Sequence, residues 1–232
     1  MTEAIVMIER VAAALGPLCQ EVVFVGGAVV RLLVTDPGIN EFRLTDDVDV
    51  IIDVASRRAL ADLDDTLREI GFRNAVYSGA PLCRWQVEDT IVDVMPTDPR
   101  YLGFSNRWYP EAIRTGNTVT LPSGTSIRVI DPVVFLATKL EAFTDRGYND
   151  PIGSRDIEDV IAVVDGRQTI VAEITHANPD VTAFIRDSLQ PLVPTIGFQN
   201  AVLGYLPHHP KGQRRFSTIM DRFRSITMIN DD

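Results

Sequence analysis

The chain is poor in the residues that build disulfide-stapled or metal-clasped folds. Only two cysteines, Cys19 and Cys83, occur among 232 residues. Two thiols so far apart make neither a disulfide framework nor a cysteine metal motif, and they suit a reduced, cytoplasmic setting. Histidine is almost as scarce. His176, His208 and His209 have no Cys or carboxylate at ligand spacing and read as surface residues. No apolar run approaches the ~20 residues of a membrane span, and the N-terminus lacks the charged-then-apolar order of a signal peptide, so no membrane partner is expected. Positive charge is also short. Twenty-two Lys and Arg stand against 32 Asp and Glu, a net charge of −10, which argues against a broad nucleic-acid-coating surface. One local exception is the C-terminal cluster Lys211, Arg214, Arg215, Arg222 and Arg224, read as a solvated helix face with RNA contact as the sharper alternative.

Hydrophobic residues make up 45% and charged residues 23%, ordinary for a globular chain long enough for one large or two small domains. The most informative stretch is Leu44–Asp53, apolar and rich in Val and Ile, with Asp47 and Asp49 inside it. Side chains alternate along a strand, so these carboxylates share a face while Val48 and Val50 point to a core. Adjacent carboxylates repel and resist burial. A divalent cation between them relieves both costs, and Mg²⁺ prefers such hard oxygens together with phosphates and water. Alone, an Asp-x-Asp strand more often marks a half-exposed edge.

In order along the chain, Thr2 to Leu15 reads as a Thr2-capped amphipathic helix. Glu21 to Val25 is a buried strand, followed by Gly26-Gly27 and a short helix from Ala28 to Val34. A strand, two glycines and a helix start cluster backbone N–H groups in a way that suits phosphate oxygens. Thr35 to Glu41 is a turn-rich loop. Ser56 caps a helix to Ile70. Extended runs follow at Phe72–Tyr77, Leu82–Val87 and Thr90–Met95, the last two joined at Glu88-Asp89; the third carries Asp93. Pro96–Asn106 reads as a loop, Trp108–Arg114 as a short helix, and Thr118–Leu121 with Ser126–Ile130 as a hairpin. Asp131-Pro132 starts a helix carrying Lys139. From Ser154 onward only helices are expected: Ser154–Val164, Gln168–His176, Val181–Leu189, Thr195–Leu206 and Arg215–Ile226. The fold class is α/β, a mixed-sheet domain over residues 1–130 followed by an all-helical domain over residues 131–232.

The order Val25-Gly26-Gly27, Asp47-Val48-Asp49-Val50 and Asp93 resembles the nucleotidyltransferase superfamily that shares the DNA polymerase β fold. Arg43-Leu44-Thr45-Asp46-Asp47-Val48-Asp49 looks like the Arg-x-Thr-x-Asp-apolar-Asp of the AbiEii/MenT-like nucleotidyltransferases, a toxin class of bacterial toxin–antitoxin systems. Lys139 and Arg155-Asp156-Ile157-Glu158-Asp159 match that group's later Lys and Arg-Asp-x-x-Asp helix. The resemblance runs from about Val22 to Val164. One departure is the spacing of 19 residues between Gly27 and Asp47, which an inserted loop at Thr35–Phe42 absorbs. The resemblance implies transfer of a nucleoside monophosphate from an NTP to an acceptor hydroxyl. Asp47, Asp49 and Asp93 would hold Mg²⁺ or Mn²⁺, two ions in all, with Asp93 also helping to deprotonate the acceptor. Gly26 and Gly27 would approach the triphosphate, and Lys139 would contact phosphate. Arg43 and Thr45 would hold the metal strand or touch phosphate, and Asp156 and Asp159 would orient Lys139 or contact base or ribose. Of the acceptors, the resemblance points first to the 3′ end of a tRNA, with an antitoxin protein as partner, and a small molecule or protein is the alternative. A non-catalytic nucleotide-binding relative is the other class.

Overall fold

A computed structural model describes residues 2–39, 42–54, 56–75, 80–102, 106–146, 150–207 and 210–229. The side chains of Arg57, Leu102 and residues 210–214 lie outside the description. By contact the chain divides into two compact units, Met1–Arg31 with Leu44–Asp131, and Leu32–Arg43 with Pro132–Asp232.

The first unit is a seven-stranded mixed sheet with helices. Its strands are β1 (Val22–Val25), β2 (Asp47–Ile52), β3 (Arg73–Asn74), β4 (Arg84–Val87), β5 (Thr90–Pro96), β6 (Asn117–Thr120) and β7 (Ser126–Val129). They lie in the order β3-β4-β5-β2-β1-β7-β6. β2 is central, antiparallel to β1 and parallel to β5. All four residues of β1 are buried, as a strand covered on both faces requires. Helix α1 (Glu3–Leu15) buries Ile5, Ile8, Val11, Ala12 and Leu15 at helical spacing and packs on β2 and β5. Thr2 precedes it without a side-chain cap bond, contrary to the sequence expectation. Helix α3 (Arg57–Glu69) is capped as expected, Ser56 accepting from the Ala59 amide.

Several boundaries differ from those read on sequence. The run Phe72–Tyr77 pairs only at Arg73–Asn74, and its end falls outside the described residues. Between β1 and β2 lies the short helix α2 (Val30–Leu33); the stretch Pro96–Asn106 contains a one-turn helix, α4 (Pro99–Leu102), and α5 (Tyr109–Thr115) follows it. The hairpin between β4 and β5 turns at Glu88-Asp89, with Glu88 at φ 52°.

The second unit is helical: α6 (Pro132–Asp145), α7 (Arg155–Gly166), α8 (Ile170–Thr175), α9 (Pro179–Leu189), α10 (Ile196–Tyr205) and α11 (Pro210–Thr227). Ser154 and Thr195 cap α7 and α10 through their hydroxyls. α7 is the hub, packing against α6, α10 and α11. It is therefore buried nearly all round, with Ile157 and Val160–Val164 as its apolar core. Phe198 and Phe223 meet edge to face at 4.9 Å.

The segment Leu32–Arg43, read on sequence with the first domain, clusters with the helices. The amides of Thr35 and Asp36 both donate to the Gly166 carbonyl at the C-terminus of α7, each at 2.9 Å, filling an acceptor that a helix end leaves open. Arg167 donates to the Leu33 carbonyl at 2.9 Å. Among the described residues no helix is long and apolar enough to cross a membrane.

Gly166 is where Val34 meets α7. A Cβ there would stand 2.5 Å from Val34 Cγ1 and 3.1 Å from its Cβ. Gly166→Ala is expected to lower stability by about 1–3 kcal/mol through overpacking, despite alanine's better helix propensity; a urea midpoint equal to or above wild type would contradict this packing.

Candidate active site

β1 ends at Val25 and the chain turns at Gly26, where φ is 70°. That region is costly for residues with a Cβ. Space imposes a second demand: a Cβ on Gly26 would fall 1.8 Å from Asp49 Oδ2. The first glycine is thus fixed by both backbone and carboxylate. Gly27 opens a short 3₁₀ turn, Gly27–Val29.

Along β2, Asp47 and Asp49 are half-buried while Val48 and Val50 are buried, the alternation expected of a strand with one polar face. Asp49 pairs in register with Asp93 of β5, so both project to one side of the sheet. Asp93 is only 8% exposed. The Thr45 hydroxyl donates to Asp47, reaching Oδ1 at 3.3 Å.

Arg84, on β4, stands opposite Asp93 in the antiparallel ladder. Its Nε donates to Asp93 Oδ1 at 2.8 Å and its Nη2 to Asp93 Oδ2 at 2.7 Å. The same Nη2 reaches Asp47 Oδ2 at 3.2 Å. This planar fork on a carboxylate is the strong, oriented form of an ion pair. One guanidinium thus neutralises two of the three carboxylates whose mutual repulsion would otherwise push them apart. Cys83, next to it, is buried. Burial, with the Asp93 charge adding, pushes its thiol up to about 11, so it is no nucleophile at neutral pH.

The donor set fits a divalent cation in kind. Its oxygens are hard and anionic, and the guanidinium of Arg84 marks a place beside Asp47 and Asp93 where positive charge is favoured. As they stand, no three His, Cys, Asp or Glu groups among the described residues converge enough to hold a metal. In this arrangement the Arg84 fork takes both oxygens of Asp93.

Arg43, Lys139, Asp156 and Asp159 belong to the helical unit and form one charge cluster there. Lys139 Nζ lies 2.7 Å from Asp159 Oδ2 and 3.4 Å from Asp156 Oδ1. Arg43 Nη2 lies 3.2 Å from Asp159 Oδ2, and Arg146 Nη1 lies 2.7 Å from Asp156 Oδ2. Both aspartate side chains are 4% exposed. Asp156 and Asp159 thus do not form an exposed acidic face. These acids lie on the buried hub helix, where unpaired charge would be prohibitive.

The C-terminal basic cluster is corrected in the same way. Arg215 pairs with buried Asp165. Arg222 donates to the carbonyls of Val164 and Asp165 at 2.7 and 2.6 Å, capping the end of α7. Only Arg224, bonded to Asp221 at 2.9 Å, keeps to an exposed face. The side chains of Lys211 and Arg214 lie outside the described set, as do His208 and His209.

Arg84 and Arg146 were not singled out on sequence. For Arg84 a signal existed. A two-residue turn at Glu88-Asp89 pairs Val87 with Thr90 and so sets Arg84 opposite Asp93. For Arg146 the sequence offers only a polar loop.

No family model and no curated protein matches the chain. Among solved structures, ANT(2'')-Ia in complex with adenylyl-2''-tobramycin is similar at 16% identity over 82% of this chain and 99% of that one, TM-score 0.47. A solution structure of ANT(2'')-Ia gives 14% identity over 81% and 91%, TM-score 0.47. An H. pylori protein described as a candidate nucleotidyltransferase gives 14% over 99% and 96%, TM-score 0.49.

Lys139→Met leaves Asp156 and Asp159 buried beside one cation fewer. It is expected to destabilise the helical unit by about 3–5 kcal/mol, read as a lowered urea midpoint; an unchanged midpoint would mean that the cluster contributes nothing to folding.

Proposed function

We propose that the chain is a metal-dependent nucleotidyltransferase, moving a nucleoside monophosphate from an NTP to an acceptor hydroxyl with release of pyrophosphate. The observation that carries this reading is the register of β2 and β5, which aligns Asp49 with Asp93 and keeps Asp47 on the same face, next to a glycine turn that Asp49 itself requires. The sequence order Gly-Gly, Asp-x-Asp, Asp supports it independently.

In this reading Asp47 and Asp49 hold Mg²⁺ or Mn²⁺, and Asp93 completes the set. Such ions supply neutralisation of charge on the transferring phosphoryl group and the leaving pyrophosphate. The Asp93 carboxylate takes the proton of the acceptor hydroxyl. The Thr45 hydroxyl orients Asp47. Gly26 and Gly27 keep side chains out of the way of the triphosphate. Lys139 is the proposed phosphate contact, oriented by Asp156 and Asp159; Arg43 acts through Asp159.

For the acceptor, a small molecule or protein is favoured over tRNA. The case for RNA rested partly on the C-terminal basic cluster, and Arg215, Arg222 and Arg224 are engaged within the chain. The net charge of −10 weighs in the same direction. The toxin-like Arg43-x-Thr45-x-Asp47-Val48-Asp49 motif keeps the tRNA 3′ end, with an antitoxin partner, as the second reading.

The test incubates the protein with Mg²⁺, each α-labelled NTP, and tRNA, a cell protein fraction or a small-molecule extract. Wild type is expected to transfer label to one acceptor class. Asp47→Asn/Asp49→Asn is expected to lose about two to three orders of magnitude in rate, the equivalent of several kcal/mol of charge stabilisation. Label in tRNA selects the second reading. Nucleotide binding without turnover in the wild type would make the chain a non-catalytic relative and overturn the proposal.

A further inference from the structure

Arg84 enters neither the proposed reaction nor the sequence motif, yet it is the most committed side chain among the three carboxylates. Its fork holds both oxygens of Asp93, and one of its nitrogens also reaches Asp47. A purely structural cross-strand pair needs only its partner opposite, Asp93. The reach to Asp47, two strands away in the order β4-β5-β2, makes the guanidinium a shared counter-ion for the carboxylate set.

We infer that Arg84 is a built-in counter-cation that a divalent metal ion must displace, so that metal entry and release of Asp93 are one event. The inference rests on the metal-dependent reading above. Three physical points support it. A metal ion and a guanidinium cannot use the same lone pairs of Asp93. Their charges repel at such range. The Arg84 side chain is 21% exposed, so its head can reach solvent by rotation about its own side-chain bonds while β4 stays paired. Without metal, the fork keeps Asp47 and Asp93 from repelling. A dication offers more charge at the same oxygens and wins; a monovalent ion, with no fork, does not. Arg84 thereby sets which ions enter and how tightly they bind.

The experiment measures Mn²⁺ affinity without nucleotide, by electron paramagnetic resonance of free Mn²⁺, for wild type, Arg84→Gln and Arg84→Lys, each checked by circular dichroism. Arg84→Gln removes the competitor and is expected to bind Mn²⁺ about fivefold or more tightly, the worth of a part-exposed ion pair. Arg84→Lys, charged but forkless, is expected to lie between. The Arg84→Gln melting temperature should be below wild type without metal and approach it at saturating Mn²⁺. Equal or weaker Mn²⁺ binding by Arg84→Gln overturns the inference while leaving the metal reading intact. If that variant does not fold, the same comparison on Arg84→Lys decides it. Mn²⁺ binding by none of the three proteins overturns both.

Discussion

Like charges held close on a rigid sheet are the constraint from which the first unit follows. β2 and β5 are hydrogen-bonded neighbours, and their register brings Asp49 beside Asp93 with Asp47 two residues along. Backbone pairing leaves these carboxylates no room to separate, so positive charge has to come to them. The sequence supplies it from the next strand, where the tight turn at Glu88-Asp89 sets Arg84 across from Asp93. Asp49 has a different accommodation. Its carboxylate lies against Gly26, in the space any larger residue would fill. The glycine turn and the acidic strand are therefore one device, because changing either changes the other.

The helical unit meets the same problem with the opposite solution. Asp156, Asp159 and Asp165 sit on α7, a helix buried nearly all round. There a charge without a partner would cost several kcal/mol. Each acid accordingly has fixed cations: Lys139 and Arg146 for Asp156, Lys139 and Arg43 for Asp159, Arg215 for Asp165. Burial and the Asp165 charge also push the Tyr205 hydroxyl far above its ordinary range, keeping it protonated. In α7 each buried acid has at least one cation within ion-pair distance. In the sheet the charges are part-exposed and shared by one cation, which suits a site where an ion can enter.

Local signals were legible in the sequence. Alternation gave β2, a serine cap gave the start of α3, helical runs of apolar residues gave α7 and α10, and the switch from strand to helix patterns gave the fold class. Long-range partners were not. Arg43 stands four residues before Asp47 in sequence, yet it pairs with Asp159; Thr35 and Asp36, upstream of it, are tied to the end of α7. The C-terminal arginines have only Asp221 nearby in sequence, so they read as solvated; the partners of Arg215 and Arg222 are Asp165 and the carbonyls at the end of α7, more than 40 positions upstream. Such pairings depend on which helices meet, and no local pattern encodes that. Arg84 is intermediate: the turn at Glu88-Asp89 carries the signal that sets it opposite Asp93, a signal the sequence reading did not use, and its reach to Asp47 depends on the sheet order.

The central claim is that Asp47, Asp49 and Asp93 form a divalent-cation site for which Arg84 is the resident stand-in. A crystal of the protein soaked with Mn²⁺, measured at the manganese absorption edge, tests it most directly. The account predicts an anomalous peak within coordination distance of Asp47 and Asp49, with the Arg84 fork withdrawn from Asp93. A peak elsewhere, or no peak while the fork remains closed on Asp93, would contradict it.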